Sequence, residues 1–255
     1  MSEVVWITGA SSGLGAALAS RLAQAGRKVA VSARRNEKLV ALAADAPGPG
    51  KLYPAALDTE NQEEVAAAVE RIEREVGPIG QAVLNAGTHR SVDPRALAVE
   101  DFRKLVEVNL MGTVNCLAAV LPPMLERQRG RIAIVASVAG YRGLPTSAAY
   151  GMTKAGLINL AEALRVELAP CGIVVQVVNP GFVRTPLTDR NPFPMPFLME
   201  PQDAAEALFR GLQSDRFEIA FPRRFVAMMK LLRCLPAPFA FAVTRRLLPK
   251  DRVVS

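Results

Sequence analysis

Short apolar runs alternate along the chain with longer stretches of helical period. Val4–Thr8, Lys28–Ser32, Lys51–Leu57, Ile79–Leu84, Arg131–Ala136, Ile173–Val178 and Phe217–Phe221 read as seven strands. Between them lie helical segments with recognisable ends. Gly13–Ala25 carries an apolar face at Leu14, Leu18 and Leu22 and stops at Gly26, a residue able to take the left-handed conformation that closes a helix. Asn61–Val76 stops at Gly77-Pro78, and Ala148–Ala169 stops at Pro170. Strands separated by helices predict βαβ units in a doubly wound, Rossmann-like α/β fold. Its mostly parallel seven-stranded sheet has helices on both faces, and ligands are expected outside the carboxyl ends of the strands.

Composition narrows the class. Half of the 255 residues are hydrophobic and 22% are charged, which suits one well-buried globule and not a disordered chain. There is no internal repeat or low-complexity tract. The formal charge of +7 is concentrated at the end: residues 222–255 hold eight Lys and Arg against Asp251 alone, and the rest of the chain is neutral. That distribution speaks against a nucleic-acid binder and for a domain over 1–221 with a basic extension over 222–255. Met1-Ser2-Glu3 runs directly into an apolar strand without a basic n-region, so a secretory signal is not visible and a cytoplasmic protein is expected. Cys116, Cys171 and Cys234 have no metal-ligand or disulfide spacing and read as buried free thiols, with no metal site.

The first strand leads into Thr8-Gly9-Ala10-Ser11-Ser12-Gly13-Leu14-Gly15 and a helix. Glycines in that context let backbone N–H groups approach a pyrophosphate, the helix N-terminus adds about half a positive charge, and Ser11 and Ser12 add donors. The second strand ends in Ser32-Ala33-Arg34-Arg35, where an NAD enzyme would carry an acid for the ribose hydroxyl. Two arginines there favour the 2′-phosphate of NADP(H) over NAD(H). Further on, Tyr150 and Lys154 are four apart and so share a helix face, and Ser137 ends the fifth strand. A lysine ammonium beside a phenol is expected to depress its pKa and make it a usable acid or base, while a serine hydroxyl orients a carbonyl oxygen.

With Asn85-Ala86-Gly87 and Asn109 between them, these two motifs resemble the short-chain dehydrogenase/reductase family over roughly residues 4–220. The resemblance implies a catalytic set of Asn109, Ser137, Tyr150 and Lys154, with Asn109 holding a water near the lysine. It also implies that Asp58 meets the adenine and that Asn85, Ala86 and Gly87 line the nucleotide cleft. Pro180, Gly181, Val183 and Thr185 would border the nicotinamide. Asp58 has an alternative reading as the N-cap of the helix that follows. A homodimer or homotetramer built on the helices around Asn109–Arg127 and Ala148–Ala169 is a further implication.

The apolar, proline-rich run from Pro192 to Met199 suits a bulky apolar carbonyl or alcohol substrate, or core or subunit packing. In the extension, Phe225, Met228, Met229 and Leu232 form one helical stripe opposite Arg223, Lys230 and Arg233, broken at Pro236-Ala237-Pro238 before Phe239–Leu248. Such a segment can pack on the body or a neighbouring subunit, or lie peripherally on an anionic membrane. His89 reads as solvent-exposed filler. Two other functions fit parts of the pattern: a catalytically idle NADP(H) sensor or scaffold, and a reductase of acyl groups held on a carrier protein.

Overall fold

The computed structural model describes residues 3–186, 188 and 195–248. Strands β1 (Val4–Thr8), β2 (Lys28–Ser32), β3 (Lys51–Pro54), β4 (Ile79–Leu84), β5 (Gly130–Val135), β6 (Ile173–Pro180) and β7 (Glu218–Phe221) form one sheet in the order β3-β2-β1-β4-β5-β6-β7. Every neighbouring pair is parallel. The direction of winding reverses between β1 and β4, which opens the crevice where a doubly wound sheet takes its ligand.

Strand ends shift for local reasons. Regular β3 stops at Pro54, which has no N–H to give, although Ala55 and Leu57 still donate to the Val31 and Ala33 carbonyls at 2.9 and 3.2 Å. By contrast β6 runs two residues past Val178, because its register with β7 extends to Pro180 opposite Phe221.

The helices are α1 (Gly13–Gln24), α2 (Asn36–Ala44), α3 (Gln62–Glu75), α4 (Val99–Leu105), α5 (Gly112–Glu126), α6 (Ala148–Leu168), α7 (Pro201–Leu212), α8 (Arg223–Cys234) and α9 (Ala237–Arg245). A π-helical stretch, Val106–Met111, joins α4 to α5. Asn61, not Asp58, caps α3: its side-chain oxygen accepts from the N–H groups of Glu63 and Glu64 at 3.0 and 3.2 Å. The helix then buries Val65, Ala68, Val69 and Ile72 on one face.

Alternation along the strands divides the core into two layers. Val4 and Trp6 face α3, α5, α6 and α8, whereas Val5 and Ile7 face α1, α2 and α7. Some buried polar groups inside the sheet are bonded: the Trp6 indole donates to the Ser32 hydroxyl at 2.9 Å, and the Gln176 amide nitrogen donates to the carbonyls of Ser214 and Arg216, both at 2.9 Å, whereas the Gln176 and Asn179 side-chain oxygens have no partner among the described residues. The helical run Val99–Glu126 is long and apolar enough to cross a membrane by composition. Its Leu105, Asn109, Cys116, Leu117, Val120 and Met124 are nevertheless buried in the protein.

Three sequence expectations change here. Cys116 is buried, Cys171 is half-buried and Cys234 is exposed. The buried stripe of α8 is Phe225, Val226, Met229 and Leu232, while Met228 faces solvent at the flank of that stripe. Proline does not simply break the tail: Pro236 is the residue before α9 and Pro238 sits in its first turn, positions where a missing N–H costs nothing. Pro192, Phe193 and Pro194 of the apolar run, and Lys250, Asp251 and Arg252 of the tail, lie outside the described residues.

Candidate active site

The glycine turn after β1 is held by the loop after β4. The Thr8 hydroxyl accepts from the N–H groups of Asn85 and Ala86 at 3.0 and 3.1 Å, and the Asn85 amide donates to the Thr8 and Gly9 carbonyls at 3.0 and 3.2 Å. Gly9 has φ 68°, and a Cβ there would lie 2.8 Å from the Ala86 backbone. Gly13 has φ 57°, and a Cβ there would lie 2.7 Å from Thr185 Cγ2. Side chains are thus excluded where the two loops approach each other. The Ser12 side chain makes no cap bond, so the first turn of α1 presents N–H groups without a side-chain cap. An uncapped helix start in a cradle of glycine backbone fits the pyrophosphate of a dinucleotide.

The residues read as nucleotide contacts fall around this turn. The Arg35 guanidinium donates to the Ser11 hydroxyl at 3.1 Å, which places it over the glycine loop. Arg34 is exposed, and its guanidinium lies 4.0 Å from the Asp58 carboxylate. Asp58 also accepts from the Glu60 N–H at 3.1 Å. The Leu14 side chain is buried in the core, which leaves only its backbone for a ligand. Val183 is buried and bridges to Met199, and Thr185 is bonded to Thr188.

The candidate catalytic residues meet beyond the carboxyl ends of β4, β5 and β6. Asn109 is fully buried in the π-helical stretch. Its side-chain oxygen accepts from the Thr88 N–H at 2.8 Å, and its amide donates to the Thr88 carbonyl and the Thr153 hydroxyl, both at 3.0 Å. The wide turn of a π-helix aims one side chain where a regular helix would not. Lys154 is buried as well. Its Nζ donates to the Val135 carbonyl at 2.9 Å and lies 5.6 Å from the Tyr150 ring centroid. A Cβ on Gly87 would lie 3.2 Å from the Asn109 side-chain oxygen and 3.5 Å from Lys154 Nζ, so this glycine keeps the space above the lysine open. The Ser137 hydroxyl accepts from the Ala139 N–H at 3.1 Å and faces the Pro180 carbonyl at 3.4 Å.

Electrostatics here differ from the simple expectation. Burial pushes the Tyr150 phenol up, and the Ser137 hydroxyl pulls it down by less. Burial also lowers Lys154 from 10.5 to about 8. The expected depression of the phenol by the lysine is not seen: burial is the largest influence on the phenol, and the Lys154 ammonium is directed to the Val135 carbonyl.

Sequence reasoning left out two residues at this corner. His89 is half-buried and meets Tyr150 edge-on at 4.8 Å between ring centroids, with burial lowering its pKa. Its position two residues after Gly87 was the available signal. Phe225, at the start of α8, stacks on Phe182 at 5.4 Å and meets Phe197 at 6.1 Å, and a Cβ on Gly181 would strike its ring. Nothing local in the sequence links Phe225 to the loop after β6.

The model of the short chain dehydrogenase family matches residues 3–192. The chain belongs to that family. This short-chain dehydrogenase/reductase is 39% identical over 242 residues to an uncharacterised oxidoreductase of Myxococcus xanthus, covering 94% of this chain and 96% of the relative. A short-chain dehydrogenase from Burkholderia cenocepacia, solved in complex with NADP, superposes with TM-score 0.83 at 29% identity, covering 97% of this chain and 98% of that one. A 3-oxoacyl-[acyl-carrier protein] reductase from Brucella melitensis with bound NAD superposes with TM-score 0.75 at 27% identity, covering 86% and 89%. The protein is accordingly an NAD(P)-dependent oxidoreductase with a Rossmann-like fold that takes a nicotinamide cofactor.

Proposed function

We propose that this short-chain dehydrogenase/reductase is an NADP(H)-dependent reductase of bulky apolar carbonyl compounds, running in reverse as an alcohol dehydrogenase. The observation that carries the reading is the meeting of the half-buried Tyr150 phenol with the Ser137 hydroxyl and the buried Lys154 at the edge of the nucleotide cleft. The glycine turn would hold NADP(H), which would supply or accept the hydride when bound. Tyr150 gives its proton to the carbonyl oxygen in reduction and takes it back in oxidation. Ser137 donates a hydrogen bond to that oxygen as negative charge builds on it. Lys154, fixed by the Val135 carbonyl, keeps a positive charge beside the phenol as its proton leaves. Asn109 clasps Thr88 and so fixes the loop that carries His89 against Tyr150.

Arg34 and Arg35 support NADP(H), since they follow β2 where an acid would favour NAD(H), and Arg35 is tied to Ser11 of the glycine turn. Reduction is then the favoured direction, given the usual reduced state of the NADP pool. The stacked rings of Phe182, Phe225 and Phe197 support an apolar substrate, because they line the loop that leaves β6 beside Ser137. Exposed Met111, Val114 and Leu125 on the α5 run and Met152 and Val166 on α6 support a homo-oligomer built on those helices.

The test is NADPH consumption across a panel of apolar ketones and aldehydes. Tyr150→Phe lowers turnover by roughly 10³-fold while NADPH affinity stays near that of the parent; retained turnover removes Tyr150 as the acid. Arg34→Asp weakens NADPH by about tenfold or more and NADH much less; equal weakening defeats the 2′-phosphate assignment.

A further inference from the structure

One carboxylate outside the catalytic set gathers donors from three parts of the fold. Glu218, the first residue of β7, accepts at one oxygen from the Tyr141 hydroxyl and from the Asn179 amide, the latter at 2.8 Å. Its other oxygen accepts from the Lys230 ammonium of α8. Tyr141 and Asn179 are buried, whereas Lys230 is exposed. Burial, and after it the bond to Glu218, push the Tyr141 phenol up, so it stays a donor to the carboxylate.

The two buried donors flank Ser137. Tyr141 closes the short turn that Ser137 begins: the Ala139 N–H donates to the Ser137 hydroxyl at 3.1 Å, the Gly140 N–H to the Ser137 carbonyl at 2.9 Å and the Tyr141 N–H to the Val138 carbonyl at 3.1 Å. On its far side the turn is pressed onto α6, where a Cβ on Gly140 would lie 2.7 Å from the Lys154 carbonyl carbon. Asn179 precedes Pro180, whose carbonyl faces the Ser137 hydroxyl at 3.4 Å. The Asn179 side-chain oxygen has no partner among the described residues, which leaves Glu218 to fix that side chain. The turn that carries Ser137 and the strand end that faces its hydroxyl are thus bonded to the same carboxylate oxygen.

We propose that Glu218 is a positioning residue: through Tyr141 and Asn179 it holds the two segments between which the Ser137 hydroxyl is set. This role rests on the reading of Ser137 as the group that orients the carbonyl oxygen. Such a hydroxyl must point the right way before charge develops, so fixing its backbone matters as much as its presence. The Lys230 pair is secondary, because an ion pair open to solvent adds little.

The experiment is amide hydrogen exchange of the cofactor-free full chain, read by mass spectrometry on peptides spanning 137–142 and 28–32, and it needs no substrate. Labelling times are short enough that β2 stays protected in the parent. Tyr141→Phe and Glu218→Leu each speed exchange of the turn by roughly tenfold or more while β2 stays protected. Glu218→Gln, which keeps an oxygen for both buried donors, restores the parental rate, and Lys230→Met leaves it unchanged. A parental rate in Tyr141→Phe overturns the proposal, as does loss of β2 protection in both loosened variants, which would mark a general packing role. Glu218→Gln that exchanges like Glu218→Leu overturns it by assigning the effect to charge. Turnover separates the anchor from the reading beneath it. With NADPH and the apolar ketone that the parent reduces fastest, Tyr141→Phe lowers kcat roughly tenfold and leaves KM for NADPH at the parental value. In a Ser137→Ala background it lowers kcat no further. Parental turnover in Ser137→Ala defeats the reading of Ser137, whereas lost turnover there with parental kcat in Tyr141→Phe defeats only the anchor. Additive losses in the double variant overturn the proposal by showing that Tyr141 acts apart from Ser137.

Discussion

At the carboxyl edge of the sheet the buried side chains are polar, and Asn109, Ser137, Thr153 and Lys154 each have a partner at hydrogen-bond distance. In α8 the buried side chains are Phe225, Val226, Met229 and Leu232. Polar burial is directional: each group must meet its partner or bear a desolvation cost of about 1–3 kcal/mol, so the corner has one low-energy arrangement. Apolar burial is not directional, and it attaches α8 while leaving its flank and most of α9 exposed. Substitutions at the corner should therefore register in chemistry, and those on the buried face of α8 in stability.

Phe225→Ala carries the largest stability effect, about 3–5 kcal/mol by denaturant unfolding, because it empties a filled site between the loop after β6 and α8. A loss below about 1 kcal/mol would mean that α8 is not held by its apolar face. Gly9→Ala comes next: with a Cβ against the Ala86 backbone and a left-handed φ, NADPH binding falls on the order of 100-fold, at a strain cost of about 1–3 kcal/mol. Normal NADPH titration of that variant would refute the close approach of the two loops. The pH response of Lys154 is smaller and has a definite sign. Its folded value of about 8 lies below the ordinary 10.5, so between those values the unfolded chain binds a proton that the folded chain has released. The Lys154 contribution to the stability of the cofactor-free protein therefore rises with pH across that window, opposed from about pH 9 by Cys116, whose thiol burial pushes up to about 12. Lys154→Met lowers the slope of urea midpoints between about pH 8 and 9.

Much of the fold was readable because each strand is an apolar run with punctuation at its ends. The turn after β1 announced itself by glycines at fixed spacing, and Tyr150 with Lys154 by helical period. Less was readable where two distant segments decide the outcome. The apolar stripe of α8 was placed one flank off, since periodicity locates a face but not its rotation against the sheet. The pKa direction of Tyr150 followed burial by the whole corner and not its neighbour four residues on. His89 was set aside because its ring contact with Tyr150 spans two loops.

By itself the sequence determined the order of strands and helices along the chain, the position of the glycine turn after β1 and the candidate groups for moving a proton. These are local properties, written in periods of two and 3.6 residues and in the special conformations of glycine. Only the tertiary structure decided that Asn109 would sit in a π-helical turn against Thr88, that Phe225 would join the loop after β6, and that α8 would be buried and α9 left open. Those outcomes depend on which surfaces meet when the sheet folds, and contacts across long stretches of chain leave no local mark at either end.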